Sequence, residues 1–141
     1  GAVICTTGTG GTISGLSTVL RELIPGLTII ATEPDVSPIL TKGIACKHRI
    51  MGTAPGFIPE TLDQNAYDHV ISVNADEAIT ITRKLAEHEG IFCGISCGAA
   101  VVGMLEYAAR NAAKGQQLLA ILPDTGERYL STELWNSSAQ V

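Results

Sequence analysis

The sequence lacks any run approaching the roughly 20 consecutive apolar residues that a membrane-spanning helix needs, although 45% of its residues are hydrophobic. A soluble protein with no membrane partner is expected. It also lacks an excess of basic residues: 9 Lys and Arg stand against 14 Asp and Glu, for a net charge of −5. Nucleic-acid readers carry basic patches, so nucleic-acid partners are set aside. No signal-peptide pattern is present, and Cys5, Cys46, Cys93 and Cys97 therefore read as reduced thiols, packed as small hydrophobes in a cytoplasmic protein. No second pair at ligand spacing joins Cys93 and Cys97 with His48, His69 or His88, so no metal is expected. Repeats, low-complexity segments and interdomain linkers are missing too. The 141 residues fit one domain, long enough to bury about two thirds of the surface of the unfolded chain. An initiator Met is also absent and "AVICT" begins at once, which reads as a piece of a longer protein.

What is present is an alternation of strand-like and helix-like stretches. Ala2 to Thr6 and Leu27 to Thr32 are apolar runs of strand length, and His69 to Val73 is a third. Between the first two, Ile13, Leu16, Val19, Leu20 and Leu23 recur at three and four, one face of a helix that Pro25-Gly26 stops. Ser37 to Gly43 suggests a short helix, and Cys46 to Pro59, with no period, a loop. Asn74 with Glu77 is a helix-starting pair, and Gly90 a stop. A helix from about Cys97 to Ala112, a last strand in "QLLAILP" and a polar tail complete the chain. Strands alternating with helices predict a doubly wound, mostly parallel open α/β sheet.

In such a sheet, ligands bind outside the carboxyl ends of the strands. There the stretch "CTTGTGGTISG", Cys5 to Gly15, sets closely spaced backbone N–H groups beside a helix N-terminus, which suits a phosphate. A nucleoside-triphosphate loop would need Lys after its last glycine, where Thr12 stands. A dinucleotide loop would need a third glycine where Ile13 stands, although Glu33 sits where a ribose-binding acid would. The dinucleotide loop is the runner-up from pattern alone, and a glycine turn without ligand is a further alternative.

Three motifs in order, "TGTGGTISG", "GIFCGISCGAA" and "ILPDTGERYLST", together with "EPDVSP" and "GFIP", resemble the cysteine synthases (O-acetylserine sulfhydrylases). These are pyridoxal-phosphate enzymes of the tryptophan-synthase β-subunit fold type, and the resemblance runs from about Ala2 to Leu134. It implies that Gly8, Thr9, Gly10, Gly11 and Thr12 hold the cofactor phosphate and that Ser96 hydrogen-bonds the pyridine nitrogen. Ser96 also suits a helix N-cap. The motif's second serine is Cys97 here. Asp124 and Thr125 are implied to line the site, while Arg128 and Tyr129 brace the turn after it. Gly56 and Phe57 belong to the loop bordering the substrate entrance, where Thr53-Ala54-Pro55 replaces a more glycine-rich stretch and Pro55 stiffens the backbone.

The family's Schiff-base lysine and its carboxylate-gripping loop precede the glycine loop, so no catalytic residue is assigned in this chain. Lys42, Lys47, Lys84 and Lys114 read as solvated charges. The resemblance therefore implies that residues 1–141 are the C-terminal part of the large pyridoxal-phosphate domain, the N-terminal lobe being elsewhere. The parent would replace the acetoxy group of O-acetylserine with sulfide, giving cysteine and acetate, and the fragment alone would be inactive. A homodimer and docking to serine acetyltransferase are implied for the full enzyme. A cystathionine β-synthase-like enzyme, or a non-catalytic cofactor- or partner-binding half-module, are the alternatives.

Overall fold

A computed structural model of the chain describes residues 1–111 and 115–136. Lys114, the expected helix end at Ala112 and the polar tail from 137 onward lie outside the described residues. In order come β1 (Ala2–Thr6), α1 (Gly11–Leu23), β2 (Thr28–Pro34), α2 (Ile39–Lys42), β3 (His69–Val73), α3 (Ala75–Glu89), α4 (Ile95–Asn111), β4 (Leu118–Ala120) and a 3-10 turn (Gly126–Tyr129). The four strands form one parallel sheet in the order β3-β2-β1-β4. Ile4 stands opposite Ile30 and Ala120, and Ile30 opposite His69.

Successive strand residues point to opposite faces, and both faces are apolar. Ala2, Ile4, Ile30, Ile71 and Val73 pack with Ala78 and Ile79 of α3 and Ile95, Ala99 and Val102 of α4. Val3, Cys5, Ile29 and Ala31 pack on the other face with Ile13 of α1 and Leu62. Helices on both faces make the sheet doubly wound, as the alternation predicts.

Small residues set the helix packing. A Cβ at Gly98 would collide with Thr82 Oγ1 and the Ala78 carbonyl, so α4 lies directly against α3 only because Gly98 has none. Gly103 does the same toward the sheet, where a Cβ would stand 2.5 Å from Thr32 Cγ2. The Asn74 side chain caps α3, accepting from Asp76 N–H at 2.9 Å, and Gly90 ends it at φ 68°. Glu77 contributes its charge in the first turn.

Four expectations shift. α4 begins at Ile95 rather than Cys97, because the Gly94 carbonyl already accepts from Cys97 N–H at 3.1 Å. β2 runs on through Glu33 and Pro34, paired with Ser72 and Val73. β4 is shorter than "QLLAILP": Ile121 N–H still reaches Ile4 O at 3.0 Å, but Pro123 has no N–H to continue the ladder. The apolar stripe of α1 is covered only in part, since Val19 is 54% and Leu23 71% exposed.

Candidate functional site

From β1 the chain steps to β2 by way of α1 on one face, and it reaches β4, on β1's other side, by way of α4 on the opposite face. The loops leaving β1 and β4 therefore diverge at a topological switch point, where open α/β sheets form their ligand crevice. Thr7–Gly10 and Ile121–Thr125 are those loops.

The first loop leads into an open helix end. Gly10, at φ 83°, precedes α1 with no capping side chain, and the first turn holds no acidic residue. Thr9 Oγ1 stands a long 3.5 Å from Gly11 N–H, and Gly11 and Thr12 are exposed. The first-turn N–H groups are thus available to an anion. Gly8 and Gly10 have a second role: a Cβ at either would stand 2.5 Å from Gly52 O or from Leu62 Cβ, respectively.

Gly52 and Leu62 belong to a strap, residues 46–62, held across the glycine loop. Ala54 N–H donates to Thr7 O at 2.8 Å, and Thr61 Oγ1 donates to Thr9 O. Ser14 Oγ accepts from Asp63 N–H at 2.9 Å and donates to Thr61 O at 3.2 Å. Ala54 sits at φ 39°, and its carbonyl lies 3.0 Å from His48 Nε2, so Nε2 carries the hydrogen. His48 Nδ1 is then a buried acceptor without a donor. Gly56 (φ 93°) and Phe57 lie farther along the strap, both exposed.

Beside the strap opens a cleft of about 690 Å³. Lys47, His48, Arg49 and Gly52 line it on one side, Ser96, Asp124 and Arg128 on the other. Ser96 is the second residue of α4, not its N-cap. It is 4% exposed, and its hydroxyl has no hydrogen-bond partner among the described residues. Asp124 is fully engaged: Tyr129 Oη donates to Oδ2 at 2.5 Å, and the Cys97 thiol stands 3.4 Å from Oδ1. Gly94 admits this cluster, since a Cβ there would overlap Asp124 Oδ1 and Tyr129 Cε2. Burial and the Asp124 carboxylate push the Tyr129 phenol up to about 12, and burial raises the Cys97 thiol as well.

The structure thus brings Ser96 and Asp124 into one cleft and sets the glycine loop behind its wall, through Gly52. Gly56, Phe57 and Thr125 stand outside the lining; Thr125 instead pairs with Cys93 in an isolated antiparallel bridge. Glu33 is no ribose ligand: it is 2% exposed and accepts from Leu40 N–H at 2.8 Å and Thr41 Oγ1 at 2.5 Å. Lys47 lines the cleft rather than an indifferent surface, and Arg128 does so too, exposed, while Tyr129 alone braces the turn. Cys46 is exposed, unlike the other three thiols. Lys47, His48 and Gly52 escape sequence reading because the strap has no period.

A family model described as "Pyridoxal-phosphate dependent enzyme" matches residues 1–124. The chain belongs to that family. It is 44% identical over 136 residues to a probable cysteine synthase of Bacillus subtilis, covering 96% of this chain and 43% of the relative. The crystal structure of O-ureido-L-serine synthase superposes with a TM-score of 0.92 at 40% identity, covering 99% of this chain and 44% of that one. Cysteine synthase from Entamoeba histolytica gives 0.91 at 36%, covering 95% and 40%. The chain therefore spans less than half the length of these relatives.

The residues present fit the family's cofactor. The α1 N-terminus offers unpaired N–H groups to a phosphate with no competing carboxylate, and Ser96 lines the cleft with a hydroxyl that has no partner among the described residues and can meet a ring nitrogen.

Proposed function

We propose that this chain is the C-terminal part of the large domain of a cysteine synthase, an enzyme that replaces the acetoxy group of O-acetylserine with sulfide. The observation that carries the reading is the Ser96 hydroxyl, which lines the cleft with no hydrogen-bond partner among the described residues, so that a ligand there gains a hydrogen bond without breaking one within the protein. When bound, pyridoxal phosphate supplies an electron sink for chemistry at the substrate's α-carbon. Gly8 to Thr12 hold its phosphate through backbone N–H groups. Ser96 meets the pyridine nitrogen with a neutral hydroxyl, which leaves that nitrogen unprotonated and tempers the sink, as suits loss of a β-substituent. Asp124, with both oxygens engaged by Tyr129 and Cys97, walls the cleft and moves no proton.

The covalent anchor and general base come from the remainder of the parent protein. The exposed Val19 and Leu23 on α1, and Leu119 on edge strand β4, 54% exposed, are surface for that remainder to cover. The parent works as a cytoplasmic homodimer and docks serine acetyltransferase at its active-site mouth.

The test is to incubate the chain with pyridoxal phosphate, reduce with borohydride and map labelled peptides, with amide exchange measured in parallel. Slowed exchange from Gly8 to Thr12 without a specific lysine label is expected. Stoichiometric labelling of one lysine, above all Lys47 in the cleft, would overturn the shared-site reading, and unchanged exchange in the loop would remove the phosphate cradle.

A further inference from the structure

Among the described residues, two clefts of similar size differ in the charge of their lining. One, about 630 Å³, is lined by Asp35, Asp76, Glu77 and Glu106, of which Asp76 is paired with Arg49 and Glu106 with Arg110. The cleft above Ser96 is lined by three cations, Lys47, Arg49 and Arg128, against two carboxylates, Asp124 and Glu133. Those five side chains sum to one positive charge in a chain whose total is −5.

That charge is concentrated at the rim. Arg49 is paired, 3.2 Å from Glu133 and 2.5 Å from Asp76. Lys47 and Arg128 are exposed and have no ion-pair partner among the described residues. Asp124, half-buried beneath them, has both oxygens occupied. An approaching anion therefore displaces no existing ion pair when it meets Lys47 and Arg128, and the Asp124 charge keeps it from settling at the floor.

We infer that Lys47 and Arg128 form a collecting site for the second, nucleophilic substrate, taken as a small anion. Under the cysteine-synthase reading, on which the identity of the ligand rests, that anion is hydrosulfide. A rim of one sign above a low-dielectric wall raises the local concentration of an oppositely charged substrate and speeds its arrival, an effect that salt screens over about 10 Å at 0.1 M. The amino-acid substrate is zwitterionic and gains little from the same field.

The test compares the wild-type holoenzyme, this chain with its lysine-bearing remainder and cofactor, with the Lys47→Gln/Arg128→Gln double variant. Both positions are exposed, so folding is retained. Neutralising each exposed cation is worth about two- to fivefold. The KM for sulfide is expected to rise about five- to tenfold with kcat and the KM for O-acetylserine held within about twofold, and the salt dependence of kcat/KM for sulfide to flatten. Glu77→Gln, in the acidic cleft, should leave all of these unchanged.

A direct titration with bromide, followed by the fluorescence of Trp135, the single tryptophan of these 141 residues and neighbour of the cleft residue Leu134, separates the two ideas. Saturable bromide binding that the double variant weakens, in an enzyme that releases no acetate from O-acetylserine, would keep the anion site and remove the cysteine-synthase reading. Acetate release with unchanged sulfide KM, salt slope and bromide affinity in the variant would overturn the collecting site alone.

Discussion

Replacing Tyr129 with Phe removes one oxygen from the cleft wall and nothing else. Tyr129 is 8% exposed, and its hydroxyl donates to Asp124 Oδ2 at 2.5 Å. A hydrogen bond to a charged acceptor contributes about 1.5–3 kcal/mol. This one belongs at the lower end, because Asp124 borders an open cleft where water can take the vacated place, and because Oδ1 keeps the Cys97 thiol at 3.4 Å. The expected loss is about 1.5–2 kcal/mol, or a fall of about 5 °C in the thermal midpoint for a chain of this size.

The alkaline limb supplies a signature that generic destabilisation does not. Burial, then the bonded Asp124 carboxylate, raises the phenol from 10.0 to about 12. The folded state thus holds this proton more tightly than the unfolded state, so the contribution is fully present below pH 10 and is lost as pH rises through about 12. Urea denaturation of both proteins at a series of pH values should show a constant stability gap up to pH 10, closing between 10 and 12. In Asp124→Asn, with the carboxylate charge gone, the phenol falls back toward 10 and the window narrows. A gap below about 0.5 kcal/mol near neutral pH, or one that persists unchanged through the alkaline window, would refute the contact as the source of the effect.

Three further outcomes follow from the same geometry. Ser96→Ala should leave stability within about 0.5 kcal/mol, since its hydroxyl bonds to nothing in the described chain, while spectrophotometric titration shows pyridoxal-phosphate affinity falling about three- to tenfold; a clear loss of stability would mean that the hydroxyl serves the fold. Gly98→Ala should cost about 1–3 kcal/mol by urea denaturation, because its Cβ meets the Ala78 carbonyl, which is backbone; an equally stable variant would contradict the direct α3–α4 contact. Of the four thiols, Cys46 alone should react quickly with an aromatic disulfide in the folded protein, the others waiting on unfolding, since burial raises Cys5 to about 11 and Cys93 to about 12. A second fast thiol would show that the α4 end of the cleft opens readily.

The parts of the site that sequence reading reaches are those whose signal is local. The glycine loop follows a strand and opens a helix within a dozen residues; Thr12 in place of a lysine rejects the nucleoside-triphosphate motif, and Ile13 in place of a third glycine disfavours the dinucleotide one. Ser96 is found through a motif of adjacent residues, yet its helical start is misjudged by two positions, because "GIS" reads as a turn until Gly94 O is seen accepting from Cys97. Glu33 carries a local signal that misleads: an acid at a strand end looks like a ligand for ribose, and only the fold shows it turned inward to Leu40 and Thr41.

The strap had no such signal. Its bonds join Ser14 to Thr61 and Arg49 to Glu133, pairs 47 and 84 residues apart in the chain, and nothing in its irregular composition marks His48, Gly52 or Ala54 as wall and support. Gly8 shows how the two kinds of information combine. Its motif points to a phosphate, whereas its missing Cβ is required by the Gly52 carbonyl. One glycine thus serves both the cradle and the strap that shapes the cleft beside it, so a substitution there would disturb anion binding and cleft geometry together. Gly11, where a Cβ would meet only the Thr9 Oγ1 side chain at an ordinary 3.8 Å, is the position at which the cradle can be tested alone.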